Sequence, residues 1–273
     1  MSVFVFGDLQ GCASELQSLV DQLPLQAQDE LWFCGDLINR GPDSMGTLQW
    51  LWDHRARIRC VLGNHDLSVL ARLHDPQRKM GSTASELAAH GMGSQWVAWL
   101  LGMPLIQVGA GLSMVHAGIP PDWDLELALQ SAEEVSAQLR ATPPAEFWQQ
   151  LYGNTPQRWT SELRGMERTR YTVNALTRMR FVESDGALEF ACKSSPEQAP
   201  KHLQPWFSYS RRRWTAGDIA FGHWSTLGQV HWPQFSVWGL DEGCVWGGHL
   251  TALQWPERRL FRQPSPGYQE PGD

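Results

Sequence analysis

The 273-residue chain has few cysteines and none in a pairing pattern. Cys12, Cys34, Cys60, Cys192 and Cys244 form no Cys-x-x-Cys pair and show no zinc-ligand spacing. An odd number of thiols in apolar stretches such as Trp32-Phe33-Cys34 reads as reduced core cysteines in a cytoplasmic protein. No apolar run reaches the length of a membrane span. The apolar residues 2–6 have no basic stretch before them and no cleavage site after them, so they read as a first strand rather than a signal peptide. Positive charge is not in excess: 22 Lys and Arg face 29 Asp and Glu, for a net charge of −7. That excludes a basic coat for nucleic acid but leaves room for a local basic cleft around a phosphorylated ligand. There is no internal repeat. Tryptophan is abundant, with 15 residues. Core filling and amphipathic packing account for most of them, and stacking on bases is the sharper alternative.

Apolar runs at Val3–Phe6, Leu31–Cys34 and Ile58–Leu62 read as strands, each closed by glycine. Leu16, Leu19, Val20 and Leu23 form a helical stripe between the first two, and a second helix runs to about Asp53. Strand–helix–strand–helix–strand implies an α/β core with right-handed, mainly parallel crossovers. Residues 67–101 read as helix broken near Gly81 and Gly91. Leu105–Val108 and Leu112–Val115 flank Gly109-Ala110-Gly111 as a hairpin, and Asp185-Gly186 marks another within Phe181–Cys192. Residues 122–180 are helical and polar, and are expected to form a helical cap inserted in a core of 1–121 and 181–262. Residues 194–217 read as loop. Strands are expected at 218–221, 235–240, 244–246 and 250–254, and 263–273 as a flexible tail.

Several ligand-type residues follow these apolar strands directly. They are Asp8 in Gly-Asp-Leu-Gln-Gly, Asp36 in Gly-Asp-Leu-Ile-Asn-Arg-Gly, Asn64 and His65 in Gly-Asn-His-Asp, His116 in Val-His-Ala-Gly, and His223 in Phe-Gly-His-Trp. The carboxyl ends of strands are where open α/β sheets bind ligands. Asp8, Asp36 and Asn64 are evenly spaced by about one βα unit, so they should fall on neighbouring strands. One such residue alone is usually a loop or helix cap. A set of two aspartates, one asparagine and two histidines suits Mn²⁺, Fe, Co²⁺ or Zn²⁺. One bridging aspartate would let two ions clamp a phosphate ester or anhydride.

These motifs, in this order, resemble the calcineurin-like metallophosphoesterases. Tyr152-Gly153-Asn154, Glu162-Leu163-Arg164-Gly165, the 174–181 stretch Asn-Ala-Leu-Thr-Arg-Met-Arg-Phe and the 243–248 stretch Gly-Cys-Val-Trp-Gly-Gly narrow the resemblance to the symmetrical bis(5′-nucleosyl)-tetraphosphatases, over about residues 1–262. The resemblance implies mixed sheets flanked by helices in an αββα sandwich. It implies Asp8 and Asp36 as ligands of a first metal, with Asp36 bridging and Asn64, His116 and His223 completing a second. It places His65 over the phosphate to protonate the leaving group, and Arg40 as a phosphate clamp. The implied reaction is hydrolysis of diadenosine tetraphosphate to two ADP with two divalent ions, Mn²⁺ or Co²⁺. Nucleotide-capped RNA ends are a further expected partner. Two positions depart from the wider superfamily. Gln10 stands where a histidine ligand is usual, which makes the first site weak or water-replaced. Asn39 stands where the protein phosphatases carry an aspartate, so it cannot raise the pKa of His65 through charge.

Two other readings stay open: a nucleotide or RNA-end binding protein with weakened catalysis, and a phosphatase of another phosphoester. His54, His74, His90, His202, His231 and His249 read as surface or packing residues. Arg164, Arg168, Arg178 and Arg180 form either a solvated face or a basic wall for the far phosphates. Arg178 and Arg180 are the candidates for substrate binding. Arg211-Arg212-Arg213 reads as a loop charge run, and Trp224 is the aromatic residue most suspected near the site, although core packing is the stronger reading for it.

Overall fold

The computed structural model describes residues 1–214 and 217–269. Its first half alternates as β1 (Val3–Phe6), α1 (Ala13–Val20), β2 (Glu30–Phe33), α2 (Ser44–Asp53), β3 (Ile58–Cys60), α3 (Asn64–His74), α4 (Ser82–Ala89) and α5 (Gly93–Leu101). The hairpin β4 (Ile106–Gly109) and β5 (Leu112–Val115) follows, then α6 (Leu125–Arg140), α7 (Ala145–Leu151) and α8 (Gly165–Arg178). Short strands β6 (Phe181–Val182), β7 (Leu188–Glu189) and β8 (Gln204–Pro205) form a small third sheet. The chain ends with β9 (Asp218–Phe221), β10 (His231–Trp232), β11 (Val237–Gly239), β12 (Asp241–Glu242), β13 (His249–Trp255) and β14 (Arg259–Pro264).

Two larger sheets organise these elements. One runs β12-β13-β1-β2-β3, with β14 on β13 and with β1, β2 and β3 parallel. The other runs β10-β11-β9-β5-β4, with β5, β9 and β11 parallel. Strand alternation sorts the apolar residues into two layers. Val3, Val5, Trp32, Cys34 and Leu253 from the first sheet pack on Leu112, Met114, Ala220 and Trp238 from the second. Phe4, Phe6, Leu31 and Phe33 turn the other way and join Leu16, Leu19, Leu48 and Leu51 of the helices. The result is two sheets face to face with helices outside, the αββα sandwich of mixed sheets that the resemblance implies.

The breaks near Gly81 and Gly91 fall between α3, α4 and α5, as the sequence predicts. The expected strand at 244–246 is instead a 3-10 turn, because Gly243 and Gly247 flank it with φ of 73° and 89°. The expected loop 194–217 includes β8 and a 3-10 turn at Trp206–Ser208. Within the expected cap, Val135, Leu139, Trp148 and Leu176 share one apolar cluster with the core, and the Ala117 N–H donates to Leu176. The tail differs from expectation over its described part. Arg259–Pro264 is a strand, Ser265 N–H donates to Gly248, and Tyr268 N–H donates to Val245. Backbone bonds override the polar composition there, and residues 270–273 lie outside the described residues. Among the described residues no helix is long and apolar enough to cross a membrane.

Candidate metal centre

Parallel pairing puts the ends of β1, β2 and β3 side by side, so Asp8, Asp36 and Asn64 emerge on one edge. β5 and β9 are also parallel neighbours and deliver His116 and His223. Side chain-to-backbone bonds lock the two sheets together here. Asp8 Oδ1 accepts from His223 N at 3.0 Å, and His116 Nδ1 donates to the Cys34 carbonyl at 2.7 Å. The glycines of these motifs are required by closeness. A Cβ on Gly63 would lie 2.0 Å from Asp36 Oδ1, and one on Gly222 would lie 2.0 Å from Asp8 Oδ1. Gln10, Asp36, Asn39, Arg40 and His223 all hold positive φ, a strained geometry for non-glycine residues that clusters at functional sites.

The donor set has a definite polarity. Because Nδ1 of His116 donates to a carbonyl, its Nε2 is a lone pair, and it faces Asp36 Oδ1 at 3.4 Å and Asn64 Oδ1 at 3.1 Å. His223 repeats the device: its Nε2 donates to the Arg178 carbonyl at 3.0 Å, leaving Nδ1 as the lone pair. Nδ1 lies 2.8 Å from the Asn64 amide. A carbonyl that fixes each ring's tautomer is the usual support for a metal-binding histidine. Lone pairs of Asp36, His116 and His223 lie within 4.8 Å of one another, all buried. Acceptors crowded this way repel unless a cation stands between them. Turning the Asn64 amide nitrogen inward would bring its two N–H groups against three acceptors, both rings and the Thr177 carbonyl, and would still leave Asp36 Oδ1 facing the His116 lone pair. The group therefore fits a divalent ion through a mixed oxygen and nitrogen set.

Carboxylates crowd the neighbouring position. Asp8 is held well above the usual carboxylate range by burial and by Asp241 and Asp36. Asp241 is pushed up to about 6 and Asp66 to about 8, in each case chiefly by burial, with Asp36 adding to it. Asp66 accepts from the N–H groups of Leu37, Ile38 and Gly63 and so braces the Asp36 loop. Gln10 Nε2 lies 3.4 Å from Asp36 Oδ2, which puts Gln10 beside this carboxylate group. Burial lowers the pKa of His65, His116 and His223, and Arg180 adds to the lowering at all three.

His65 sits at the cavity side of this cluster. Its Nδ1 is 2.9 Å from Asn39 Nδ2, and its Nε2 is 3.4 Å from Arg40 Nε. A neutral imidazole has one acceptor nitrogen, so it cannot accept from both. The Asn39 amide suits either tautomer, because its oxygen can replace its nitrogen opposite Nδ1. Arg40 also donates to Gln269 Oε1 at 3.1 Å, and its guanidinium lies 5.1 Å from the Trp246 ring.

Gln10, Asp36, Arg40, Asn64, His65, Arg178, Arg180 and His223 line one cavity of about 710 Å³, of the size that holds a small ligand. Arg178 is fixed by Asn174 Oδ1 at 2.7 Å and Asn154 Oδ1 at 2.9 Å, and Arg180 donates to the His223 carbonyl. The 152–154 and 174–181 motifs thus meet in space around these two arginines. The other arginines lie elsewhere. Arg164 bonds neighbouring carbonyls, Arg168 pairs with Glu134, Arg212 bonds the Phe235 carbonyl and Arg213 pairs with Asp124. Trp224 is buried against Phe181 and Phe207. His54, His74, His90 and His231 stack on tryptophans. Sequence reasoning missed Asp241, Phe190 and Trp246, all of which line the cavity. Asp241 comes two residues after β11 and opens β12, and its place at the end of that apolar run was the available signal.

Comparison with known proteins identifies the family. The calcineurin-like phosphoesterase family model matches residues 1–186. A relative from Chromobacterium violaceum named symmetrical bis(5′-nucleosyl)-tetraphosphatase is 40% identical, covering 99% of this chain and 98% of its own. One of the same name from Pectobacterium atrosepticum is 41% identical, covering 97% and 95%. A crystal structure provisionally named a diadenosine tetraphosphatase shares the fold at a TM-score of 0.60 and 22% identity, covering 97% of this chain and 93% of its own. The chain belongs to the calcineurin-like metallophosphoesterases and, within them, to the symmetrical bis(5′-nucleosyl)-tetraphosphatase family.

Proposed function

We propose that the chain hydrolyses diadenosine tetraphosphate at its central anhydride: one water is consumed and two ADP are released. The observation that carries this reading is the pair of carbonyl-oriented histidines that face Asp36 and Asn64, His223 on the wall of an arginine-lined cavity and His116 just behind it. Asp36, Asn64, His116 and His223 would hold one divalent ion, and Asp8, Asp36 and Gln10 the other, with Asp241 beside them. The mixed oxygen and nitrogen donors favour Mn²⁺ or Co²⁺. Two such ions supply positive charge to the phosphoryl oxygens and to the attacking water.

The remaining work falls to side chains. Arg40 and Arg180 bind non-bridging phosphate oxygens, and Arg178, pinned by Asn154 and Asn174, takes a phosphate farther out. His65 Nε2 delivers a proton to the departing ADP oxygen, with Asn39 holding the ring through Nδ1. Helices of the 122–180 segment act as a cap whose last turn carries Arg178. Nucleotide-capped RNA ends offer the same anhydride and are a second substrate class for this cavity. Five cysteines without disulfides, four of them buried, support a reducing, cytoplasmic location.

Chromatography of the products tests the reading. ADP alone is expected from diadenosine tetraphosphate. ATP plus AMP as the main pair would overturn the central cut, and an intact substrate would overturn the activity.

A further inference from the structure

Two rings on the cavity wall are not used by the chemistry above. Phe190 and Trp246 are half-buried, and among the described residues they are the aromatic side chains other than histidine that line the cavity. Each carries an arginine. The Arg178 guanidinium lies 4.9 Å from the Phe190 ring, and that of Arg40 lies 5.1 Å from the Trp246 ring.

Each arginine is tied to a different histidine of the site. The Arg178 carbonyl accepts from His223 at 3.0 Å, and Arg40 Nε is 3.4 Å from His65 Nε2. The rings sit on separate, braced supports. The loop after Phe190 is held where the Lys193 carbonyl accepts from Thr226 Oγ1, just beyond His223. Trp246 rides a turn closed by its own N–H donating to Gly243, with Gly243 and Gly247 in the left-handed region.

We propose that Phe190 with Arg178, and Trp246 with Arg40, are the seats for the two bases of the substrate, one pair to each nucleoside. This rests on the proposed hydrolysis of a dinucleoside tetraphosphate. Such a substrate has two identical ends about a central anhydride. A central cut requires a grip on both ends, or the chain of phosphates would slide over the catalytic groups. In each pair the guanidinium covers one face of the ring, so a base would take the ring's other face or the outer face of the guanidinium. A base stacks on such a surface whatever its identity, while the guanidinium meets the neighbouring phosphate or the base face. A phosphorylated protein side chain would have no use for two such seats.

The test compares a substrate with bases to a ligand without them. Phe190→Leu and Trp246→Leu keep apolar volume and remove the aromatic face. Phe190→Tyr and Trp246→Phe keep the face. KM and kcat are measured on diadenosine tetraphosphate, and Ki is measured for inorganic tetraphosphate as competitor. Each leucine variant is expected to raise KM by about 5- to 150-fold, the range of one lost base stack. The ratio of KM to the tetraphosphate Ki should rise by the same factor, and the aromatic variants should restore it.

If each ring only props up its arginine, KM and the tetraphosphate Ki will rise together and the ratio will stay fixed, which overturns the proposal. An unchanged KM in either leucine variant overturns it as well. Wild-type protein that leaves diadenosine tetraphosphate intact while binding inorganic tetraphosphate would instead overturn the hydrolase reading beneath it.

Discussion

Asn39→Asp is expected to move the alkaline limb of the pH–rate profile upward by about one to two units. Asn39 stands 2.9 Å from Nδ1 of His65, whose side chain is 19% exposed. Burial holds the pKa of this imidazole down, and Arg40 and Arg180 lower it further against the pull of Asp36. A carboxylate in place of the amide puts a full negative charge about 4 Å from the imidazolium. At an effective dielectric constant of about 20 that attraction is roughly 4 kcal/mol, an upper bound near three pKa units. Solvent access through the cavity should reduce it to about one or two. The sign follows from the proposed role: a raised pKa keeps His65 protonated, and able to donate to the leaving group, to higher pH. The fold should tolerate the change, because Asn39 has φ of 81° and aspartate enters that region nearly as readily as asparagine. The assay is kcat/KM from pH 5 to 10 at constant saturating metal, for both proteins. An unmoved or lowered alkaline limb would refute the assignment of His65 as the proton donor.

Asp36→Ala should remove metal and rate together, and cost more than the roughly 10²–10³-fold of a single lost electrostatic group, because in the proposed centre both sites share this carboxylate. Retention of two ions per chain, by elemental analysis, would contradict the bridge. His65→Ala should keep the metals and lose about 10²–10⁴ in rate, and loss of metal would make His65 a ligand instead. Gln10→His should tighten the weaker site, since imidazole nitrogen outcompetes a neutral amide oxygen, and equal affinities by titration would place Gln10 outside the ligand set. Metal-free protein should lose stability as pH rises. Asp241 near 6 and Asp66 near 8 hold protons in the folded state that the unfolded chain releases near its ordinary 3.8. The stabilisation is therefore full below about pH 4 and is lost through 6 and then 8, on the order of 3 kcal/mol for Asp241 alone. Denaturation midpoints from pH 5 to 9 should fall for chelated protein and much less for metal-loaded protein, and parallel curves would refute this.

Strand-end chemistry was legible in the sequence because each apolar run closes on glycine and a polar residue. Asp8, Asp36 and Asn64 needed only the parallel order of β1, β2 and β3 to become neighbours. Asp241 escaped because its immediate neighbours are Leu240 and Glu242 rather than a glycine. Trp224 drew attention by following His223 but turns into the core, where its indole donates to the Ser194 carbonyl. Trp246 was hidden in an expected strand, since only backbone φ at Gly243 and Gly247 reveals the turn that presents it. The roles of Arg178 and Gln269 depend on partners far away in sequence, Asn154 and Arg40, which periodicity does not register.

The central claim is that the aspartate–histidine cluster works through divalent ions on the anhydride of a dinucleoside tetraphosphate. Its most direct test is to strip the protein with chelator and titrate it with Mn²⁺ or Co²⁺, counting bound ions and ADP release on the same samples. ADP release should be abolished by stripping and should return as two ions bind per chain, with ADP the only nucleotide product. Full ADP release from protein shown to be free of metal would contradict the account.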